Sequence, residues 1–176
     1  ALCGDVDVLR LLVDGKANLN IWETSHGNSP MATAVWARNP TVLQLLIDSG
    51  AEVNVKDGHG STPAHIACML GLEDMLRTLV LAGADLEAAS NDGTLVAVAA
   101  RGGHESIVRA LADMMADLDA GMSTGRSAAH VAVDHGNTAI IRALAECKAA
   151  INTTPSRGPS VLCRAASRGH AHVVEL

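Results

Sequence analysis

The chain contains no phenylalanine and no tyrosine, and only two tryptophans in 176 residues. Any core must therefore be built from Leu, Val, Ile, Met and Ala. Four cysteines are present, Cys3, Cys68, Cys147 and Cys163, with no C-x-x-C spacing among them. That pattern offers neither a disulfide framework nor a zinc site, and it suits reduced, packed thiols of an intracellular protein, cytoplasmic or nuclear. No apolar run reaches the length of a membrane span, so no membrane contact by this segment is expected. The formal net charge of −6 and a pI near 5.7 argue against nucleic acid as a partner, which needs a basic stripe. The chain also lacks a serine in a nucleophile elbow, a phosphate-cradling glycine loop and paired carboxylates at a shared position. Enzymatic chemistry is not expected, and neither is a cofactor.

What the chain does have is a period. A glycine recurs at Gly4, Gly71, Gly103, Gly136 and Gly169, with Arg38 in the remaining slot, at gaps of 34, 33, 32, 33 and 33 residues. Self-similarity at that spacing predicts stacked supersecondary units instead of one closed core. Ser29, Thr62, Thr94, Ser127 and Ser160 stand where a hydroxyl can cap the first helix of each unit. Pro30 and Pro63 follow at the first helical position, where the missing N–H costs nothing. The mid-unit glycine can take positive φ and end that helix. Apolar pairs then mark a second helix with one buried stripe: Val42/Leu43 with Leu45/Leu46, Met75/Leu76 with Leu79/Val80, and Ile140/Ile141 with Leu144. Glycine turn chemistry at Asp57–Gly60 and Asn91–Gly93 predicts a short hairpin-like projection between units. Ala34, Ala67, Ala99, Ala132 and Ala165 occupy one first-helix position, where neighbouring units must approach closely.

Read against the pattern D-x-x-G-x-T-P-L-H-x-A-A-x-x-G-H, an apolar helix and then G-A-D-x-N, the best copy is Asp57 to Glu87. It keeps Gly60, Thr62, Pro63, His65, Ala67, Gly71, Gly83, Ala84 and Asp85. Further copies include Ser29-Pro30-Met31-Ala32, Ser127-Ala128-Ala129-His130 and Gly50-Ala51-Glu52-Val53-Asn54. The chain thus resembles the ankyrin-repeat family over essentially its whole length. The resemblance implies an all-α solenoid of helix-turn-helix units with short hairpin loops, forming a single domain over 1–176. A partial repeat covers 1–20, repeats follow at about 21–54, 55–87, 88–119 and 120–152, and a truncated one covers 153–176. Both ends fall inside repeats, so a fragment of a longer array is expected.

Departures from the pattern predict weak joints. Lys16, Met115 and Lys148 stand where Gly50 and Gly83 end their second helices. A side chain in a left-handed cap costs on the order of 1 kcal/mol, and the array from Met115 onward is expected to be the less stable half. The unequal gaps place an insertion before Pro30 and a deletion before Thr94, both in loop regions that absorb length changes. Trp22 lies in the lengthened connection, either covering the first hairpin or exposed.

The resemblance also implies roles for side chains. His65 and His130 would hydrogen-bond the capping hydroxyl and adjacent backbone, and His104 and His170 follow the mid-repeat glycine as scaffold. His26, His59 and His135 are left as exposed candidates, too widely spaced to converge on a metal. Asn20, Asn54 and Asn152 would brace the hairpins through side-chain to backbone bonds; some ankyrin arrays present this position to an asparaginyl hydroxylase. The expected function is a protein-protein interaction module, monomeric, gripping a partner protein or peptide on the concave face of hairpin tips and first helices. A regulatory array within a larger enzyme or membrane channel is the alternative. The positions that map to that face include Trp36, Met69 and Leu70 as apolar anchors. Arg101, Asp134 and His135 would set electrostatic fit, with His26, His59 and Arg126 at the hairpins. Trp and Arg are enriched among binding hot spots. The competing assignment for Trp36, Met69 and Leu70 is packing between repeats. Two tryptophans are too few for an aromatic cage around a methylated lysine.

Overall fold

The computed structural model describes residues 6–21, 28–122, 124–151, 153–154 and 158–170. The positions Cys3, Gly4, Trp22, His26 and Asn152 lie outside the described residues.

Helices come in pairs joined by two or three residues. α1 (Val6–Asp14) precedes α2 (Pro30–Trp36) and α3 (Pro40–Asp48). Next come α4 (Pro63–Leu70) with α5 (Glu73–Leu81), then α6 (Leu95–Gly102) with α7 (Glu105–Asp113). α8 (Ala128–Asp134) pairs with α9 (Thr138–Glu146), and α10 (Val161–Ser167) follows. The first helices α2, α4, α6, α8 and α10 stack in one layer, and α1, α3, α5, α7 and α9 in a second. This is the all-α solenoid that the period predicts. The two-residue strands β1 (Ala89–Ser90) and β2 (Gly93–Thr94) pair antiparallel, with Ala89 opposite Thr94.

Local chemistry builds each first helix. The hydroxyls of Ser29, Thr94 and Ser160 accept from the backbone N–H of Ala32, Ala97 and Cys163. Thr62 and Ser127 instead join a reciprocal capping box with His65 and His130. The alanine column packs as its size requires, with Ala34, Ala67, Ala99, Ala132 and Ala165 fully buried. Between these layers lie Leu43, Leu46, Leu76, Leu79, Leu95, Ile107, Leu111, Ile140 and Leu144, so the core is a continuous aliphatic seam.

The mid-unit slot is left-handed at every described copy: Gly71, Gly103, Gly136 and Gly169 have φ of 70°, 72°, 65° and 71°, and Arg38 has 52°. Lys16, Met115 and Lys148 also take positive φ, at 58°, 65° and 63°. The backbone there is set by the fold even where no glycine relieves it.

Side chains tie each unit to the next. The Asn54 amide donates to the Gly83 carbonyl and accepts from the Asp85 N–H, both at 2.9 Å. Asn20 accepts from Glu52 N–H, Glu87 from Asp117 N–H and Asp119 from Ala150 N–H. The expected hairpin brace is therefore corrected: Asn20 and Asn54 reach the following unit's backbone, and acidic residues serve the same column further on. A second column has His104 Nε2 against the Met69 carbonyl and Asn137 donating to the Ala100 carbonyl, each at 2.9 Å.

Candidate functional site

The ends of the first helices and the hairpin tips form one side of the stack, and two features stand on it. The first is an apolar pocket of about 340 Å³. Its floor is Ile66 and Val98, both buried, and its walls carry Trp36, Met69, His59 and the Arg101–Asp92 pair. Trp36 is 43% exposed and Met69 41%, and here the two exposed apolar side chains line one pocket instead of standing singly. α2 supplies the tryptophan, α4 the methionine and α6 the arginine, so three successive units are needed to make the pocket.

Hydrogen bonds hold the rim. Asp57 Oδ1 accepts from the N–H groups of His59 and Ser61, fixing the hairpin beside the pocket. Asn91 N–H donates to the His59 carbonyl and links that hairpin to its neighbour. Arg101 donates to both the carboxylate and the carbonyl of Asp92 at 2.7 Å. Its guanidinium plane is thereby oriented along the rim.

Beneath the pocket His65 is almost fully buried. Its Nδ1 accepts the Thr62 N–H at 3.2 Å, which leaves Nε2 to carry the proton and donate to the Gly93 carbonyl of the next unit. Burial pulls its pKa below the ordinary histidine value, against the opposing effect of the Gly93 hydrogen bond. His130 is likewise buried and lowered, first by desolvation and then by the charge of Arg126.

The second feature lies two units along. Asp134, at the end of α8, receives Arg126 Nη2 on one oxygen and Arg164 Nε on the other. Arg168 adds its Nε at 3.0 Å and donates to the Asp134 carbonyl. Burial would raise the Asp134 carboxyl, but the Arg164 hydrogen bond and the three guanidinium charges hold it below the ordinary carboxylate value. Asp92–Arg101 and Arg126–Asp134 are hairpin-to-helix contacts with the charges exchanged, made to the same helix position from hairpin positions one residue apart in the repeat.

Of the residues proposed from sequence, Trp36, Met69, Arg101 and His59 converge on the pocket. Arg126 and Asp134 converge on the second cluster, while His135 caps α8 with its side chain exposed. Leu70 does not join either: it is half buried against the aliphatic core, because its helix phase turns it inward beside Met69. Asp92 and Arg164 carry contacts that the repeat pattern does not mark. The only sequence signal for them is an opposite charge one hairpin or one unit away.

Among the described residues no three His, Cys, Asp or Glu side chains come together to hold a metal, and no helix is long and apolar enough to cross a membrane. The Cys68 thiol is fully buried, and burial pushes its pKa up, so it is inert.

A family model described as ankyrin repeats in three copies matches residues 64–155, and one described as ankyrin repeats in many copies matches 11–67. The chain belongs to the ankyrin-repeat family. Ankyrin repeats are protein-interaction modules, and this array has such relatives. It is 34% identical over 134 residues to human B-cell lymphoma 3 protein, covering 73% of this chain and 29% of that protein. It is 38% identical over 93 residues to mouse protein phosphatase 1 regulatory subunit 27, covering 52% of this chain and 60% of that one. A Transient receptor potential channel A1 homolog from Caenorhabditis elegans shares 27% over 135 residues, 77% of this chain and 11% of the channel. The array thus spans less than two thirds of each, from 11% of the channel to 60% of the regulatory subunit. Among solved structures, the ankyrin repeat domain of Bcl-3, described as a unique member of the IkappaB protein family, superposes with a TM-score of 0.88. That match has 30% identity and covers 98% of this chain and 79% of the other.

Proposed function

We propose that this ankyrin array recognises a segment of a partner protein on the side formed by its first-helix ends and hairpins, and acts by binding, not by catalysis. The observation that carries the reading is the Trp36–Met69 pocket, an apolar site with exposed anchors over a buried floor. Trp36 and Met69 fill the role of hydrophobic anchors, Met adapting to the partner's shape. Arg101, held by Asp92, and His59 at the rim orient polar groups of the ligand. A stack whose joints are already hydrogen-bonded loses little further conformational freedom on binding. The chain works inside the cell as a monomeric module, without nucleic acid, cofactor or membrane contact of its own. The reading that it is the regulatory part of a larger enzyme or channel draws on the worm channel homolog, of which it would span a small part; that reading uses the same surface.

The test is affinity capture from source-cell lysate with the unmodified chain beside Trp36→Ala/Met69→Ala. The double variant should lose the specific partner while keeping its unfolding free energy in urea within about 1 kcal/mol, since both side chains are exposed. Leu70→Ala serves as a contrast that lowers stability before it alters recognition. Identical catches from the unmodified chain and the double variant would move the binding face elsewhere.

A further inference from the structure

Three arginines share one carboxylate at the far end of the same surface. Arg126, Arg164 and Arg168 all meet Asp134, which is 14% exposed, and together the four side chains carry two surplus positive charges in a chain whose net charge is −6. A carboxylate has two oxygens, and these guanidiniums bring many more N–H donors than it can accept. Arg126 Nε is buried with no acceptor among the described residues. A buried donor left unpaired is costly, so the cluster is short of acceptors as well as of negative charge. The Asp92–Arg101 pair of the neighbouring units has one charge of each sign and shows no such surplus.

We infer that the Arg126–Arg164–Arg168 cluster binds a phosphorylated side chain of the partner segment, with Asp134 holding the three guanidiniums in a fan. A phosphomonoester carries close to two negative charges, matching the surplus, and three terminal oxygens for bidentate arginine contacts. Arg168 is 46% exposed and Arg126 29%, so solvent reaches the fan from the binding side. The inference rests on the proposed peptide-binding reading in one respect: the site lies in the same layer of first-helix ends as the Trp36–Met69 pocket. The pocket floor, Ile66 and Val98, lies between α4 and α6 and the fan between α8 and α10, two helix steps apart. At roughly 8–10 Å per packed helix, that is about 16–20 Å, or about five to six residues of extended chain. The ligand is therefore an extended segment with an apolar residue and a phosphoserine or phosphothreonine about five to six positions from it.

The probe is a set of degenerate peptide pools with a fixed leucine and, at that spacing on either side, a fixed phosphoserine, serine or Glu-Glu. Retention on the immobilised full chain should be at least about tenfold higher for the phosphoserine pool than for the serine pool, as expected for charge-assisted hydrogen bonds. Arg168→Gln should abolish that preference and leave the serine pool's retention unchanged. This side chain follows the last turn of α10 and is half exposed, so the fold should survive; Arg126→Gln is the second variant. Equal retention of phosphoserine and serine pools, or a preference indifferent to both arginine variants, overturns the inference. Equal retention of the Glu-Glu pool overturns the phosphate assignment, and capture of phosphoinositide vesicles in place of the peptides overturns the peptide source. Trp36→Ala reports separately on the pocket. A phosphate preference that survives Trp36→Ala with no loss of retention supports the fan and refutes the pocket, whereas leucine-dependent binding without phosphate preference does the reverse. Retention of no pool refutes both.

Discussion

Replacing Gly71 with alanine should cost about twice as much as the same change at Gly50 or Gly83. Gly71 has φ of 70°, and a Cβ built there would sit 2.7 Å from His104 Nδ1 and 2.9 Å from its Cε1. The left-handed conformation alone costs a non-glycine residue on the order of 1 kcal/mol. Moving the imidazole breaks its 2.9 Å contact with the Met69 carbonyl, a tie between two units. Losing such a hydrogen bond adds about 0.5–1.5 kcal/mol, for a sum of about 2 kcal/mol. Gly50 and Gly83 provide the comparison, with φ of 78° and 95° and nothing within 4 Å of a built Cβ. Their alanine variants should lose only the conformational part, about 1 kcal/mol. Urea unfolding followed by circular dichroism, with the m-value checked for constancy, gives each difference. A double-mutant cycle with His104→Ala isolates the collision, since Gly71→Ala in that background should fall to the Gly50→Ala cost. The reasoning is refuted if Gly71→Ala costs no more than Gly50→Ala, or if removing the His104 ring leaves its cost unchanged.

Met115→Gly should stabilise the array by about 0.5–1 kcal/mol in the same unfolding assay, because the exposed Met115 holds a φ of 65° that glycine adopts freely. Stability should decline as pH falls below about 6.5: His65 and His130 have lowered folded-state pKa values, so the unfolded chain binds protons first in that window. Urea midpoints measured between pH 8 and 5 should show the decline, and His65→Gln should make it shallower. Hydrogen exchange should be faster from Met115 onward than in α4 to α7, because the left-handed second-helix ends at Met115 and Lys148 lack the glycine that Gly83 supplies after α5. Uniform protection along the chain would contradict this.

The features most legible in the sequence are those decided within a few residues and then repeated. The capping hydroxyls, the proline after Ser29 and Thr62, the alanine column and the left-handed slots at Lys16, Arg38, Met115 and Lys148 all follow from local rules. A hydrogen bond between side chain and backbone three residues away does not depend on what the neighbouring unit contains. Contacts between units are another matter. Met69 and Leu70 are adjacent and equally apolar, yet only the helix phase against α6 decides that Met69 faces the pocket and Leu70 the core. Arg101 looks free until the hairpin brings Asp92 beneath it, and Asp134 attracts Arg164 from 30 residues away. The Asn54 position reads as asparagine chemistry, but Glu87 and Asp119 make its accepting half, because the donor they meet is a backbone N–H; the bond Asn54 donates to the Gly83 carbonyl has no carboxylate counterpart.

That last column has an evolutionary corollary. Every link in it ends on main-chain atoms, which all copies possess, so this column makes no demand on the side chains of whichever unit follows. Duplicating or deleting one whole module would bring two unfamiliar neighbours together with a compatible seam already in place. Lineages could thus lengthen or shorten such a protein by recombination in register, leaving the residues at the ligand-facing rim to diversify separately.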